Sequence, residues 1–548
     1  MSESRPTPRH EGYLDGKAII VYGRNERSTV DQVRQHLRKQ PTYALLGALG
    51  RAAWKIERGT RDVSLLHGVP VTMHAIASLA LLAIEASNDD RTAARRLDDN
   101  YLSKLFDLFF HLPDPISGSE GTGMASEFML RAGEHQFIYQ GELRHQLPRM
   151  WLILKELWPG VEQAKEQVPS PLADFESLTG LSVEDAFVIG LAFMGAGKTG
   201  VLEPFLAYSR GHADPRLKAA FTKEKRAAFL RWTTRDYAAV REAAAASKPP
   251  SEAHLRYRFN PLRLFPLVRP AVRIEGLSTD AVLLPIWRLL YERATLGVFH
   301  DLADHYNRGE GNNPFRNAFG HVFQAYVGRL LREALTGSDV LDEWKYGPQE
   351  VDTPDWIVLE GQRAVVIEVK HSALFLTTKQ WGNVESLRSD LVKSIGKAVR
   401  QLARFQDAVS KGVDGLDRMK GLELQLVIVT FDRLHYANSV VRDELEGVTK
   451  ELKLSSVPHV HIVPVEAFEY LLGACPDASL FDLLAQKRRD PAGDRMDFGD
   501  WLAHERGDRP MPANPFLSGK YTLFFESLGL GDPLEHAERE RSDDLSRR

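Results

Sequence analysis

The segment of this chain best equipped for chemistry is Thr353–Lys370, TPDWIVLEGQRAVVIEVK. It reads as two apolar strands joined by a tight turn at Glu360–Arg363, which contains Gly361. Asp355 stands at the start of the first strand, Glu368 and Lys370 at the end of the second. Side chains alternate along a strand, so Glu368 and Lys370 share one face and Val369 takes the other. In an antiparallel hairpin the start of one strand neighbours the end of its partner. The spacing therefore predicts that Asp355 meets Glu368 and Lys370. Two adjacent carboxylates repel and raise one another's pKa. A divalent cation cancels that repulsion, and magnesium suits a site of hard oxygen ligands. A neighbouring lysine can orient or help deprotonate a metal-bound water, and the ion can stabilise charge on a phosphate oxygen. That is apparatus for hydrolysing a phosphodiester. An aspartate followed by Glu-x-Lys also arises by chance at the end of a surface hairpin. Here Pro354 precedes the aspartate, both strands are strongly apolar, and amphipathic helices lie before and after.

The elements that must position these residues can be read on either side. Phe315–Leu335 is an amphipathic helix, with Phe319, Val322, Phe323, Tyr326, Val327, Leu330 and Ala334 on one face. Strand-length apolar pieces follow at Val340–Tyr346, Asp355–Leu359, Ala364–Val369, Leu424–Thr430 and Val460–Val465, with a long helix near Trp381–Val409 between the third and fourth. On that helix Lys393, Lys397, Arg400 and Arg404 are spaced to share a face, with Gln401 beside them. From Lys379 to Lys411 seven basic residues stand against three acidic ones, the local field that phosphates need. A solvated helix face would carry such charges too.

With Pro354-Asp355 and Glu368-Val369-Lys370 set in an αβββαβ order, the segment from about Phe315 to Tyr470 resembles the restriction-endonuclease-like, or PD-(D/E)xK, nuclease superfamily. The resemblance implies that Asp355 and Glu368 hold Mg²⁺ or Mn²⁺, aided by the Val369 carbonyl, and that Lys370 serves the attacking water. It implies an endonuclease rather than an exonuclease, acting on DNA, with RNA as the other candidate. Family members often carry a glutamate in a segment like G-x-x-F-E-x-Y. This chain has Gly320-His-Val-Phe323-Gln324-Ala-Tyr326, so a neutral amide stands where a carboxylate is usual. Gln324 is thus an auxiliary candidate that would reach a metal through water. His321 reads as an ordinary helix residue. Gln401 resembles a glutamine that sits near the active site in some branches. By analogy the fusion resembles prokaryotic restriction and anti-phage defence proteins. Its helical half would then sense, recruit or restrain, and would engage a second copy or a partner defence protein.

The expected fold is α+β and multidomain, a helical N-terminal half followed by a restriction-endonuclease-like core. Residues 1–16 read as a flexible tail, 17–246 as a mostly helical domain and 247–310 as a linker with a connecting helix. Residues 311–475 read as the nuclease domain and 476–548 as an extension ending in a solvated tail. Helix starts are placed at Thr29-x-x-Gln32, Ser182-x-x-Asp185 and Thr222-x-x-Lys225. The chain of 548 residues carries 70 basic and 74 acidic side chains, so no global positive field draws in nucleic acid. The single cysteine, Cys475, excludes a disulfide framework. Gly68–Ile84, the longest uncharged apolar run, is shorter than the ~20 residues a membrane span needs and reads as a core helix. A cytoplasmic protein with no membrane partner is expected.

Two further motifs suggest other chemistry. Ala192–Thr199, AFMGAGKT, matches a loosened phosphate-binding loop around Lys198, but follows a helix where a strand is required. His459 and His461 share a strand face, with no third metal ligand adjacent in sequence. Two readings therefore stand beside the nuclease: a nuclease-like module that binds nucleic acid without cutting, and a nucleotide-driven switch using Lys198.

Overall fold

The computed structural model describes residues 11–14, 17–20, 28–58, 64–66, 69–89, 97–113, 123–139, 143–204, 221–247, 249, 251–309, 313–371, 374, 376–381, 383–507 and 509–528. The solvated tail expected at the end of the chain falls outside them. The fold is α+β, as the sequence implies.

Helix α1 (Pro314–Ala334) opens with Pro314 in its first turn and Asn313 capping the Arg316 N–H. Strands β1 (Asp339–Asp342), β2 (Trp356–Glu360) and β3 (Arg363–Lys370) follow. Helices α2 (Val384–Lys393) and α3 (Ile395–Lys411) lead to β4 (Glu423–Thr430). Strand β5 (Val460–Pro464) runs directly into α4 (Val465–Gly473). These strands form one sheet in the order β5-β4-β3-β2-β1. The β1/β2 and β2/β3 pairs are antiparallel, β3/β4 and β4/β5 parallel.

Strand periodicity builds the two faces. Val365, Ile367, Val369, Val427, Val429 and Val463 join α1 in one apolar cluster. Ala364, Val366, Leu426, Ile428 and Ile462 join Val399, Leu402 and Phe405 of α3 in another. A strand covered on both sides has to be a nearly continuous apolar run, which is why β3 reads AVVIEV. The β2–β3 turn is two residues long, and Gly361 takes φ +66° there, where a side chain would be strained.

Several expected elements are redrawn. Val340–Tyr346 is not one strand: Lys345–Tyr346 leaves the sheet and pairs with Val351–Asp352. The long helix near Trp381–Val409 is three, Leu376–Trp381, α2 and α3. Ser394 breaks it with φ −114° and ψ −90°, and its hydroxyl bonds the Asp390 carbonyl. Glu11–Leu14, inside the expected tail, pairs with Lys17–Ile20. The three foreseen helix starts are all capped as expected, by Thr29, Ser182 and Thr222.

The expected domain boundaries do not coincide with the cores. One apolar cluster spans Leu147 to Phe525 and joins N-terminal helices, α1 and the C-terminal extension. Phe498, Trp501 and Phe524 of that extension are buried, so it is packed structure as far as Ser527. A second cluster, from Val30 to Leu289, includes the buried helix Met73–Ala86. Among the described residues no single helix is long and apolar enough to cross a membrane.

Candidate active site

The β1–β2 and β2–β3 ladders end together, with Asp342 and Ile367 both opposite Trp356. Beyond that point the outer hairpin resumes with Lys345 opposite Asp352. Two residues, Glu343 and Trp344, therefore face three, Thr353, Pro354 and Asp355. This mismatch amounts to a bulge, a device that re-aims side chains and often lies beside active sites. Pro354 fits there because it has no N–H to give to a ladder. Thr353 secures the bulge: its N–H donates to the Trp344 carbonyl at 2.9 Å and its Oγ1 accepts from the Trp344 N–H at 3.0 Å.

Asp355 is thereby turned toward the end of β3, where its Oδ2 accepts from the Val369 N–H at 2.6 Å. Lys370 Nζ donates to Glu368 Oε1 at 2.5 Å. Glu368 is 1% exposed, and its Oε2 is buried with no hydrogen-bond partner. Asp355, Glu368 and Lys370 thus lie together, as the hairpin argument requires. Val369 contributes its N–H to Asp355, while its side chain enters the core on the α1 face.

A residue absent from the sequence reading completes the cluster. Glu343 lies across the bulge from Asp355, and the Gln324 side chain on α1 approaches it closely enough to favour its charged form. Partial loss of hydration, then the charges of Asp355 and Asp352, raises the Glu343 carboxyl above its ordinary value. Burial also raises Asp355, against the pull of Lys370 and the Val369 N–H. Glu368 is pushed up to about 8 by burial and then by the charge of Asp355, which outweigh Lys370. The local clue to Glu343 is an acidic pair, Asp342-Glu343, at the end of a strand. Only the sheet pairing brings it to the other two carboxylates.

The donor set fits a hard divalent cation. It offers three carboxylates against one ammonium, oxygen donors only, and one buried carboxylate oxygen that nothing else satisfies. Residues from α1 and the β3 end flank it. His321 is exposed and lies within electrostatic reach of Asp355. The His371 imidazole, beside Gly320, is held down to about 4 by burial and then by Arg316.

The basic residues divide. Lys379, Arg388 and Lys411 are spent on ion pairs with Asp432, Glu444 and Asp407. Lys393 ends α2 and so leaves the shared face expected for it, because Ser394 turns the chain. Lys397, Arg400 and Arg404 stay together on α3, lining an open groove of about 1040 Å³ with Lys453, Ser455 and Ser456. Gln401 lines this groove rather than the carboxylate cluster. Its neighbour Arg404 acts on Tyr346, whose ring meets Phe405 at 5.9 Å, so the groove adjoins the hairpin that follows Glu343.

The other motifs resolve differently. Gly197–Thr199 is a helical turn ending the Val183–Ala196 helix, so its backbone N–H groups open no helix for a phosphate. Lys198 instead lies over the Trp54 ring at 5.2 Å. The motif thus lacks the strand–loop–helix arrangement that a phosphate-binding loop requires. His459 and His461 do gain a third metal-type neighbour, Asp494, from the C-terminal extension. That carboxylate is already engaged by Arg442 at 2.7 Å and by His459 at 2.8 Å. The charge of Lys487 also acts on His461. The cations favour a structural ion-pair cluster over a metal site. Cys475 is inert, its thiol pushed up to about 12 by burial. Comparison with family models, curated proteins and solved structures finds no match for this chain.

Proposed function

We propose that the chain is a divalent-metal-dependent nuclease of the PD-(D/E)xK type that hydrolyses phosphodiester bonds of DNA. The observation that carries this reading is the meeting of Asp355, Glu368 and Lys370 at the end of a mixed sheet, with Glu368 Oε2 buried and unpartnered. The strand order and directions support the restriction-endonuclease-like core expected from the sequence. Asp355 and Glu368 would hold Mg²⁺ or Mn²⁺. When bound, such an ion supplies positive charge to a phosphate oxygen and lowers the pKa of a water. The chain's own residues do the rest. Asp355 is oriented by the Val369 N–H. Lys370 Nζ, kept beside Glu368, can donate to a phosphate oxygen or hold a proton near the attacking water. Lys397, Arg400 and Arg404 offer the backbone phosphates a cationic groove. By the same analogy the setting is prokaryotic defence, in the cytoplasm.

A cleavage matrix tests this: double- and single-stranded DNA and RNA, each with Mg²⁺, Mn²⁺, Ca²⁺ or chelator. DNA cleavage with Mg²⁺ or Mn²⁺ is expected, lost in chelator and in Asp355→Ala, Glu368→Ala and Lys370→Ala. Full activity in those variants overturns the assignment. The amide at Gln324 favours a second reading, a module that binds nucleic acid without cutting it. DNA retention with no cleavage under any metal would select that one.

A further inference from the structure

We propose that Glu343 is a third carboxylate ligand of the cation site, and that Gln324 is its positioning residue. The proposal rests on the nuclease reading and names the group that replaces the missing α1 carboxylate. Glu343 lies one residue past the last β1–β2 pair, across the bulge from Asp355, while Asp355 meets the end of β3 beside Glu368. Three neighbouring strands thus each bring a carboxylate to this edge of the sheet. Adjacent strands lie about 4.8 Å apart, a separation one cation can bridge.

Charge and hydrogen bonding agree with this assignment. Lys370 is bonded to one Glu368 oxygen, and the other, fully buried, has no partner and belongs to the same cluster. One ammonium cannot balance three carboxylates, and a divalent ion makes up the difference. The amide at position 324 now has a reason. A glutamate there would place a fourth negative charge against Glu343, whereas the neutral Gln324 amide beside it favours the Glu343 charge. The backbone at Gln324 is held in place, because its main-chain carbonyl accepts from Trp356 Nε1 at 3.0 Å. Acid and amide have exchanged places between α1 and the bulge.

The test is titration of the full-length chain with Mn²⁺ by calorimetry, alongside the DNA cleavage assay. Glu343 is exposed, so its substitution is expected to leave the fold intact, checked by circular dichroism. Glu343→Gln should weaken Mn²⁺ binding by roughly 10-fold or more, and Gln324→Leu by a smaller factor. The exchange Gln324→Glu with Glu343→Gln should recover most of the loss seen in Glu343→Gln alone. Failure to recover overturns the role of Gln324. Wild-type Mn²⁺ affinity and cleavage in Glu343→Gln overturn the assignment of Glu343 and leave the nuclease reading standing. Mn²⁺ uptake that depends on Glu343, in a chain that cuts no nucleic acid, supports Glu343 and overturns the nuclease. A wild-type chain that takes up no Mn²⁺ overturns both.

Discussion

Glu368 carries the conflict between stability and function at the level of single residues. Its folded-state carboxyl lies near 8, against 4.5 in an unperturbed chain, because burial and Asp355 oppose its charge. A folded pKa above the unfolded one contributes stability that is fully present below about 4.5 and is lost as the pH rises through about 8. The metal-free protein therefore holds a charged Glu368 at a cost that a cation would remove. Glu368→Gln should stabilise the metal-free chain by more than about 1 kcal/mol at pH 8.5, and much less at pH 5. Urea denaturation at the two pH values measures this. Equal stability of variant and wild type at pH 8.5 would mean that Lys370 alone balances the buried charge.

Among the elements, α1 and β2 set the site through one close contact. A Cβ added at Gly328 would fall 2.1 Å from the Trp356 ring, so the helix seats on the residue next to Asp355 only because position 328 is glycine. Gly328→Ala should cost about 1–3 kcal/mol by overpacking and lower cleavage more than a surface substitution does, by moving Trp356 and with it Asp355. Thermal melts and initial rates report the two effects separately. On α3 the expectation concerns binding. Lys397→Ala and Arg400→Ala should each weaken DNA retention without sequence preference and reduce the slope of log K against log salt by about 0.9. An unchanged slope would move the nucleic-acid path off this groove.

Across the whole molecule, a buried ion-pair network ties the helical half to the sheet. Arg149, on the Gln146–Trp151 helix, makes two hydrogen bonds to Glu469 of α4, at 2.6 and 2.9 Å, and Tyr326 of α1 donates to the same carboxylate at 2.6 Å. Arg433, three residues past β4, reaches Glu466 at 2.8 Å and Glu292 of the helical half at 3.3 Å. Arg149 and Glu469 are almost wholly buried, so removing one partner leaves the other's charge poorly compensated. Glu469→Gln should destabilise the chain by about 3–5 kcal/mol, and Arg149→Met in the same chain should return much of that loss. Chemical denaturation of the single and double variants decides this. An additive double variant would show that the two residues act apart.

The amino-acid sequence by itself determined what local periodicity and short loops control. Asp355, Glu368 and Lys370 were legible because a two-residue turn and strand alternation bring them together within one hairpin. The caps at Thr29, Ser182 and Thr222 were legible for the same reason, since each spans only four residues. Only the tertiary structure decided what depends on distant pairing. Glu343 joins the carboxylates because β1 lies against β2 and the ladder slips at Pro354. Lys393 leaves its expected face because Ser394 turns the chain. Asp494 reaches His459 because the C-terminal helices pack back onto the sheet. Contacts between distant segments depend on which apolar faces bury one another. Periodicity marks that such a face exists without naming its partner.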